Sequence, residues 1–321
     1  MKTVLVTGGA GFIGSHLCER FVEREDMVVC LDNLLTGSKK NIAHLLAKKN
    51  FVFVDQDAST PFKNRRFSKI NEIYHLASPA DPNVNSPISY MSYPFETMLV
   101  NSVGTWNMCE LALKNEARFS FASTSETYGD PEISPQNENY RGNVSTTGPR
   151  SVYDESKRFG ETIVSAFVRE KGLDGRITRI FNTYGPRMNV EEGRAVVNFI
   201  KQALHGKPLT IYGDGKQTRS FCFIDDQVTG QILAMEKNHT CGEVFNIGNP
   251  DEITILDFAQ RIKEISGSKS SIDFSQPLPV DDPHMRKPDI TKAKRVLGWN
   301  PKIPLKLGLS KTINYFRKTI E

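Results

Sequence analysis

The sequence has little of several features that would place it in a particular class of protein. Its five cysteines are odd in number and scattered, so they predict neither a disulfide framework nor a zinc site, and they suit a reducing compartment. No apolar run approaches the ~20 residues that a membrane-spanning helix needs. The formal net charge is +4, with no long run of one sign, which argues against a nucleic-acid-binding surface. We therefore expect no metal site and no nucleic-acid or membrane partner.

The composition is that of a folded, water-soluble protein. Of its 321 residues, 38% are hydrophobic and 24% are charged, which supports a core and excludes wholesale disorder. At roughly 100–200 residues per domain, this length predicts two domains or one large sheet with an appendage. A first apolar run, TVLVT, begins at Thr3 and leaves no room for a signal or transit peptide, so we expect a cytoplasmic protein.

Short apolar runs alternate with helical patterns in the first half of the sequence. The runs that read as strands lie at 3–7, 27–31, 51–54, 72–77, 118–123 and 176–181. Helical patterns at 94–115 and 154–171 lie between the later runs. This alternation predicts an α/β fold with a Rossmann-type, doubly wound parallel sheet.

The alternation loosens beyond about residue 183. Short strands mix with helices there, and glycine and proline become frequent, as in the stretch at 276–283. We therefore predict a Rossmann domain at 1–183 and a smaller, mixed α/β substrate domain at 184–321, some of whose elements return to the first domain.

A glycine-rich turn follows the first strand and opens a helix. Gly8 permits a tight turn, Gly11 lets backbone N–H groups approach a pyrophosphate, and Gly14 brings the helix close to the sheet. Asp32, 18 residues after Gly14, ends the second strand, where a carboxylate can accept hydrogen bonds from the adenosine ribose. Since that carboxylate repels a 2′-phosphate, the pattern predicts NAD rather than NADP. Asp57 ends another strand and is a candidate for contact with the adenine.

Tyr153 and Lys157 stand one helical turn apart. A free tyrosine, with a pKa near ~10, is a poor base at neutral pH, so we expect the lysine and the positive charge of nicotinamide to lower this pKa by ~3 units. Thr124, Ser125 and Glu126 follow the fifth strand, and the carboxyl ends of strands line the ligand crevice of such a sheet. Their hydroxyl and carboxyl groups are candidates for contact with a substrate.

Together these features resemble the extended short-chain dehydrogenase/reductase superfamily, whose members are NAD-dependent epimerases, dehydratases and decarboxylases of nucleotide sugars. The resemblance covers essentially the whole chain. Several strings look closest to the UDP-glucuronate decarboxylases: HLASPA at 75–80, STSETYGDPE at 123–132, GPRSVYDESKR at 148–158, RIFNTYGPRM at 179–188, YGDGKQTRSF at 212–221 and RKPDITKAK at 286–294.

The resemblance implies a role for each residue of the central motifs. Tyr153 takes the proton from the sugar 4-hydroxyl, and Lys157 holds the nicotinamide ribose and lowers the pKa of the tyrosine. Thr124 hydrogen-bonds the 4-oxygen. Ser125 and Glu126 lie near C5 and its carboxylate.

The resemblance also implies larger sets of contact residues. The stretches that hold the nucleotide and diphosphate include Asn182, Arg194, Tyr212, Gln217 and Arg219. Arg286 is the catalytic arginine of the family, near the sugar and phosphates. The cofactor-binding set is Gly8, Gly11, Phe12, Ile13, Gly14, Asp32, Asn33, Asp57, Leu76, Ala77, Tyr153 and Lys157. Arginines suit a diphosphate because they form forked hydrogen bonds.

The implied reaction is the decarboxylation of UDP-glucuronate to UDP-xylose. Hydride leaves C4 for NAD⁺ and gives a 4-keto sugar, in which the C5 carboxylate is β to a ketone and is readily lost as CO₂. Thr124 and Tyr153 would stabilise the enolate oxygen that develops. C5 then takes up a proton in place of the lost CO₂ and the hydride returns to C4, so NAD is regenerated in each cycle and can remain bound.

Two stretches depart from the decarboxylase pattern, and both are expected near the sugar. Relatives carry a shorter run than 81–101 and a lysine where this chain has Leu99, and they carry Asn-Pro-Ile at 145–147, where it has Ser-Thr-Thr.

A nucleotide-sugar 4,6-dehydratase is therefore an alternative, in which Glu126 would remove the C5 proton. A 4-epimerase is a further alternative, although epimerases typically have small residues at positions 125 and 126. A regulatory NAD-binding protein would have a broken Tyr/Lys pair, which is intact here.

The helical patterns at 94–115 and 154–171 carry apolar residues on more than one face, for example Val103 and Trp106. In the superfamily the equivalent helices pair across a two-fold axis as a four-helix bundle. We therefore expect a homodimer.

Overall fold

A computed structural model describes residues 1–62, 67, 69–276 and 285–320, and these form thirteen strands and eight α-helices. The strands are β1 (Thr3–Thr7), β2 (Met27–Asp32), β3 (Phe51–Asp55), β4 (Glu72–His75), β5 (Arg118–Thr124), β6 (Gly175–Ile180), β7 (Thr183–Tyr184), β8 (Leu209–Tyr212), β9 (Thr218–Ser220), β10 (Cys222–Phe223), β11 (Val244–Ile247), β12 (Glu252–Thr254) and β13 (Ile272–Gln276). The helices are α1 (Phe12–Glu23), α2 (Pro94–Leu99), α3 (Thr105–Asn115), α4 (Ser151–Lys171), α5 (Ala195–Leu204), α6 (Ile224–Glu236), α7 (Ile255–Ser266) and α8 (Leu305–Ile320). The proline-rich stretch at 276–283 lies outside the described residues from position 277 onward.

Seven strands form the central sheet, in the order β11-β6-β5-β4-β1-β2-β3. All neighbouring pairs in it are parallel. Every residue of β4 is buried, as expected for a strand that helices cover on both faces. The predicted Rossmann-type sheet is confirmed, and β11 extends it beyond the six strands of the first half.

The strand order reverses at the centre of this sheet. From β1 the chain runs outward through β2 and β3, and it returns to β4 on the other side of β1. Thr7 pairs with His75 across β1 and β4, and Oγ1 of the threonine lies 2.7 Å from Nδ1 of the histidine. Doubly wound sheets bind ligands in the crevice beyond the strand ends at such a reversal.

Helices cover both faces of the sheet. Val4 and Val6 of β1 join a hydrophobic cluster that includes residues of α1, α5, α6, α7 and α8. Leu5 joins a second cluster on the opposite face, with Phe119, Phe121 and residues of α3 and α4. Neighbouring residues of β1 enter different clusters because side chains alternate across a strand.

The carboxy-terminal half adds β11 to the central sheet and forms three small sheets beside it. β11 pairs with β6, with Val244 opposite Ile177. The small sheets pair β7 with β10, β9 with β12 and β8 with β13. The division of the chain into domains at residue 183 stays a prediction.

The helices differ from the sequence prediction at one place. The expected single helix at 94–115 is interrupted by a π-helical turn, Val100–Gly104, between α2 and α3. The buried Asn101 side chain lies in this turn and donates a hydrogen bond to the hydroxyl of Ser156 in α4 (3.0 Å). Apolar spacing carries little signal for a turn that inserts one extra residue. Within the described residues, no helix combines the length and apolar character that crossing a membrane requires.

Candidate active site

One cavity of about 970 Å³ runs from the glycine-rich turn, across the carboxyl ends of the central strands, into the carboxy-terminal half. Its volume suits a large ligand, since binding pockets span ~300–1,000 Å³. Most of the predicted site residues line it. From the cofactor set these are Gly8, Gly11, Phe12, Ile13, Gly14, Asp32, Leu76, Tyr153 and Lys157. From the catalytic and substrate sets they are Thr124, Ser125, Glu126, Asn182, Arg194, Tyr212, Gln217, Arg219 and Arg286.

The glycine-rich turn leaves no room for side chains at two of its positions. Gly8 has a φ of +69°, and a Cβ there would lie 2.8 Å from the backbone nitrogen of Ala77. A Cβ at Gly14 would lie 2.1 Å from the carbonyl oxygen of Gly8, so the helix could not approach the turn. Gly11 precedes α1 and provides no side-chain cap for its first N–H groups. This arrangement fits a pyrophosphate at the helix N-terminus.

Asp32 braces the turn from the end of β2. Its carboxylate accepts hydrogen bonds from the N–H groups of Ala10 (2.9 Å) and Leu34 (2.8 Å). Burial raises the pKa of this carboxyl, and these backbone hydrogen bonds partly oppose the rise. Because it lines the cavity as an acceptor, it fits the ribose hydroxyls of an NAD-type cofactor.

Three residues of the predicted cofactor set lie beside the cavity and are not among its described lining residues. Asn33 and Asp57 contact each other, with the amide of Asn33 donating to the carboxylate of Asp57 (3.3 Å). Ala77 lies against Gly8 and donates its N–H to the hydroxyl of Thr7 (3.2 Å). Their contact with a cofactor stays a prediction.

Tyr153 and Lys157 both lie in α4, and both are buried. Nζ of Lys157 donates to the carbonyl of Ala122 (2.8 Å) and lies 5.7 Å from the centre of the Tyr153 ring. Burial lowers the pKa of Lys157 to about 7. Burial, followed by the charge of Glu126, raises the pKa of Tyr153 above its ordinary value, although the Thr124 hydroxyl partly lowers it. The expected lowering of this pKa by Lys157 is therefore not achieved by these side chains alone.

The hydroxyl-rich segment turns away from the sheet immediately after β5. Thr124 ends the strand and precedes a short 3₁₀ turn, Ser125–Tyr128. The hydroxyl of Thr124 accepts a hydrogen bond from the N–H of Glu126 in this turn (3.2 Å). All of these side chains are buried, yet Thr124, Ser125 and Glu126 reach the cavity. The turn therefore places two hydroxyls and a carboxylate together at the crevice.

Glu126 lies at the centre of a buried cluster of polar and charged side chains. It accepts hydrogen bonds from Nη2 of Arg150 (2.8 Å) and from the hydroxyl of Tyr90 (3.2 Å). Its other oxygen lies 3.6 Å from Nη1 of Arg286. Burial alone would raise the pKa of the Glu126 carboxyl, but the guanidinium groups of Arg150 and Arg286 lower it below its ordinary value. Burial and the charge of Glu126 raise the pKa of the neighbouring Asp154 carboxyl, so Asp154 holds the proton of this pair.

The far end of the cavity lies in the carboxy-terminal half. Arg194 directly precedes α5, and burial lowers the pKa of its guanidinium. The amide of Gln217 donates to the carbonyl of Tyr212 (2.9 Å), and Arg219 donates to the carbonyl of Thr218 (2.8 Å). Three cationic side chains, Arg194, Arg219 and Arg286, thus line one cavity, which suits a diphosphate.

The two stretches that depart from the decarboxylase pattern were expected near the sugar. In the first stretch, residues 81–85, 88 and 91 do line the cavity, whereas Leu99 and the residues at 145–147 do not. Leu99 ends α2 and is 49% exposed, and the residues at 145–147 are exposed. Neither Leu99 nor 145–147 belongs to the described cavity lining, which resumes at Pro149. The first stretch therefore supplies part of the cavity wall, while Leu99 and 145–147 lie outside it.

Sequence reasoning missed three members of the site: Tyr90, Arg150 and Asp154. Arg150 and Asp154 flank Tyr153 in the string GPRSVYDESKR, so their position in sequence was a usable signal. Tyr90 lies in the unfamiliar stretch at 81–101, and no local pattern indicates its contact with Glu126.

Comparison with known proteins places this geometry in a family. Residues 4–248 match the NAD dependent epimerase/dehydratase family. The chain is 47% identical over 320 residues to UDP-glucuronic acid decarboxylase 1 of Danio rerio, covering 100% of this chain and 74% of that protein. It is 48% identical over 317 residues to UDP-glucuronic acid decarboxylase 2 of Arabidopsis thaliana, covering 99% and 68%.

A solved structure resembles the fold over almost its full length. The UDP-glucuronic acid 4-epimerase from Bacillus cereus, in complex with UDP-glucuronic acid and NAD, aligns with a TM-score of 0.87 and 31% identity over 99% of each chain. The match to the family profile, the level of identity and the shared fold together establish that the chain belongs to the NAD dependent epimerase/dehydratase family.

Proposed function

We propose that the chain is an NAD-dependent carboxy-lyase that converts UDP-glucuronate to UDP-xylose through a 4-keto intermediate. The observation that carries this proposal is the buried cluster in which Glu126 lies between Arg150 and Arg286, beside the predicted catalytic Tyr153. The similarity to UDP-glucuronic acid decarboxylases over the whole chain supports the same reaction.

The cofactor site would be formed by the glycine-rich turn, by Asp32 and by Lys157. The turn and the first N–H groups of α1 would hold the pyrophosphate, Asp32 the adenosine ribose, and Lys157 the nicotinamide ribose. A bound NAD would supply the acceptor for the C4 hydride of the sugar and the source from which that hydride is returned. Tyr153 would take the proton of the 4-hydroxyl at its phenol oxygen and give it back at the end of the cycle.

Loss of CO₂ moves negative charge from the carboxylate to the 4-oxygen of the sugar. The hydroxyls of Thr124 and Tyr153 would donate hydrogen bonds to that oxygen as the charge develops. Two unpaired guanidinium groups would instead stabilise the carboxylate of the starting sugar and oppose its loss. Because Glu126 already interacts with Arg150 and Arg286, these arginines can orient the carboxylate without that penalty.

The dehydratase alternative requires Glu126 to act as a general base, and its surroundings lower its basicity. Removal of the C5 proton needs a carboxylate with appreciable basicity, because general-base efficiency follows the pKa of the base. Arg150 and Arg286 hold the pKa of Glu126 below its ordinary value, so it is a weak base. This electrostatic arrangement favours decarboxylation.

The test is to incubate the purified protein with UDP-glucuronate that carries ¹³C at C6. NMR should show labelled CO₂ and unlabelled UDP-xylose formed in equal amounts. UDP-glucose, which has no C5 carboxylate, should give no product. Formation of UDP-galacturonate without CO₂ would identify a 4-epimerase. Absence of CO₂ together with a 4-keto-6-deoxy product from another nucleotide sugar would identify a dehydratase.

We also propose that two chains pair through α2, α3 and α4 as a homodimer. Large apolar side chains are exposed on these helices and on the π-helical turn between α2 and α3, namely Phe95, Met98, Leu99, Val103, Trp106 and Phe159. Since α2 and α3 both pack on α4, these side chains lie on neighbouring helices, and exposed apolar surface is typical of an interaction site. The domain boundary at residue 183 and the cytoplasmic location stay predictions.

A further inference from the structure

Residues 81–92 form a segment, here named the strap, that lines part of the cavity. Its side chains form hydrogen bonds with the loop before α5. The carboxylate of Asp81 accepts the N–H of Gly193 (3.0 Å), and the amide of Asn83 donates to the carbonyl of Gly193 (3.4 Å). The hydroxyl of Ser86 donates to the carbonyl of Glu191 (3.1 Å). The strap and this loop both line the cavity. Three hydrogen bonds thus join the strap to the loop before α5 in the wall of the cavity.

The other end of the strap meets the predicted catalytic residues. The ring of Tyr90 stacks on that of Tyr153, with centres 4.7 Å apart and planes 4° from parallel. Its hydroxyl donates to Glu126 (3.2 Å). Tyr90 is fully buried and does not belong to the described cavity lining, so it contacts the predicted catalytic groups without facing the cavity.

The two ends of the strap are tied to each other. The backbone carbonyl of Asp81 accepts the N–H of Tyr90 (3.1 Å) and the hydroxyl of Ser89 (3.0 Å). Asp81 therefore binds Gly193 through its side chain and Tyr90 through its backbone. The two hydrogen bonds that Asp81 and Asn83 form with Gly193 are named the clasp.

We propose that Tyr90 is a positioning residue, whose ring fixes Tyr153 and whose hydroxyl fixes Glu126, and that the clasp of the strap on Gly193 holds it in place. Packing one face of the Tyr153 ring against a rigid neighbour limits its rotation and keeps the phenol oxygen aimed into the cavity. This inference rests on the proposed function for its kinetic readout.

The first test compares Tyr90→Leu, which removes the stack, with Tyr90→Phe, which keeps it. Tyr90→Leu should lower kcat for CO₂ release by ~10- to 100-fold, since displacements of ~1 Å have effects of that size, with KM for UDP-glucuronate little changed. Tyr90→Phe should restore most of kcat. Tyr184→Leu is the matched control, because Tyr184 is also buried and does not belong to the described cavity lining. It should lower thermal stability without lowering kcat per bound NAD.

The second test changes Gly193, which contacts the strap at the end away from Tyr90. A Cβ at Gly193 would lie 2.0 Å from Nδ2 and 2.2 Å from Cβ of Asn83, so Gly193→Ala must push the strap aside. We expect Gly193→Ala to lower kcat as Tyr90→Leu does, and the double variant Asn83→Gly/Gly193→Ala to recover part of the loss because it removes the atoms in conflict. Equal kcat losses in Tyr90→Leu and Tyr90→Phe, or no recovery in the double variant, would overturn the proposal.

A structural measurement separates this inference from the proposed function. Crystal structures of the parent and of Tyr90→Leu should show the Tyr153 ring in one orientation in the parent and displaced or in several orientations in the variant. An unmoved, well-ordered Tyr153 in Tyr90→Leu would contradict the positioning role whether or not the parent releases CO₂. Failure of the parent to release CO₂, with Tyr153 displaced in the variant, would overturn only the proposed reaction.

Discussion

At the scale of single residues, the site joins groups that lie far apart in the sequence. Glu126 contacts Arg150, 24 positions away, and Arg286, 160 positions away. A buried carboxylate needs such partners, because an unpaired buried charge is strongly destabilising. The two arginines thus keep Glu126 ionised inside the protein.

The predicted role of Tyr153 can be tested by removing one oxygen atom. Tyr153→Phe should lower turnover by at least ~10²- to 10⁴-fold, the usual contribution of a general acid–base group, and should leave NAD binding nearly intact. The glycine-rich turn and Asp32, which would hold most of the cofactor, are unchanged in this variant. Calorimetric titration with NAD and an assay of CO₂ release measure the two effects. Loss of NAD binding together with the fold would show that Tyr153 is structural.

Residue identities with a local cause could be predicted from the sequence, and those with a distant cause could not. Gly8 and Gly14 were predictable because turn and helix packing exclude a Cβ there. The contact of the Asn33 amide with Asp57 across the loop was not predictable, and the contact of either residue with a cofactor stays a prediction. Nothing in the order of residues predicts that Tyr90 stacks on Tyr153, because that contact depends on how two loops meet.

At the scale of elements, apolar runs were a good guide to the strands of the central sheet. β1 covers 3–7 as predicted, because four of its five residues, 4–7, are buried between helices. β4 ends at His75, two residues before the end of its apolar run at 77, because the chain turns there into the crevice. The π-helical turn between α2 and α3 was not predictable, since it depends on the contact of Asn101 with α4.

The exposed apolar faces of α2, α3 and α4 lead to a prediction about assembly. Phe159 on α4 is 55% exposed, and Phe159→Glu would place an unpaired charge in the proposed interface. Light scattering should give about 72 kDa for the parent, twice the chain mass of about 36 kDa, and about 36 kDa for the variant. Leu307→Glu is the matched control, because Leu307 is 46% exposed on α8, away from these helices, and it should leave the dimer intact. A monomeric parent would contradict the homodimer.

At the scale of the whole molecule, burial of His75 at the centre of the sheet ties stability to pH. Burial, together with the charge of Lys157, lowers the pKa of His75 from 6.5 to about 3. Between these values the unfolded chain binds a proton that the folded chain does not, so the free energy of unfolding falls as pH falls from 6.5 toward 3. This residue alone contributes a slope that approaches about 1.4 kcal/mol per pH unit.

Urea unfolding at several pH values between 7 and 4.5 measures this slope. His75→Gln removes the titrating group, so its free energy of unfolding should fall less steeply toward acid pH than that of the parent. His205→Gln is the control, because His205 is exposed on the surface. An acid slope in His75→Gln equal to that of the parent would show that other groups cause it.

The pairing of β11 with β6 has a consequence for how the protein is made. Without Val244–Ile247, the backbone groups along one edge of β6 have no partner, and bare edges of this kind pair readily with other chains. On the ribosome, the central sheet therefore cannot be completed until residue 247 has left the exit tunnel. Between the emergence of residue 180 and that of residue 247 the nascent chain presents an open strand, and a chaperone bound to that strand would be displaced only by the arrival of β11.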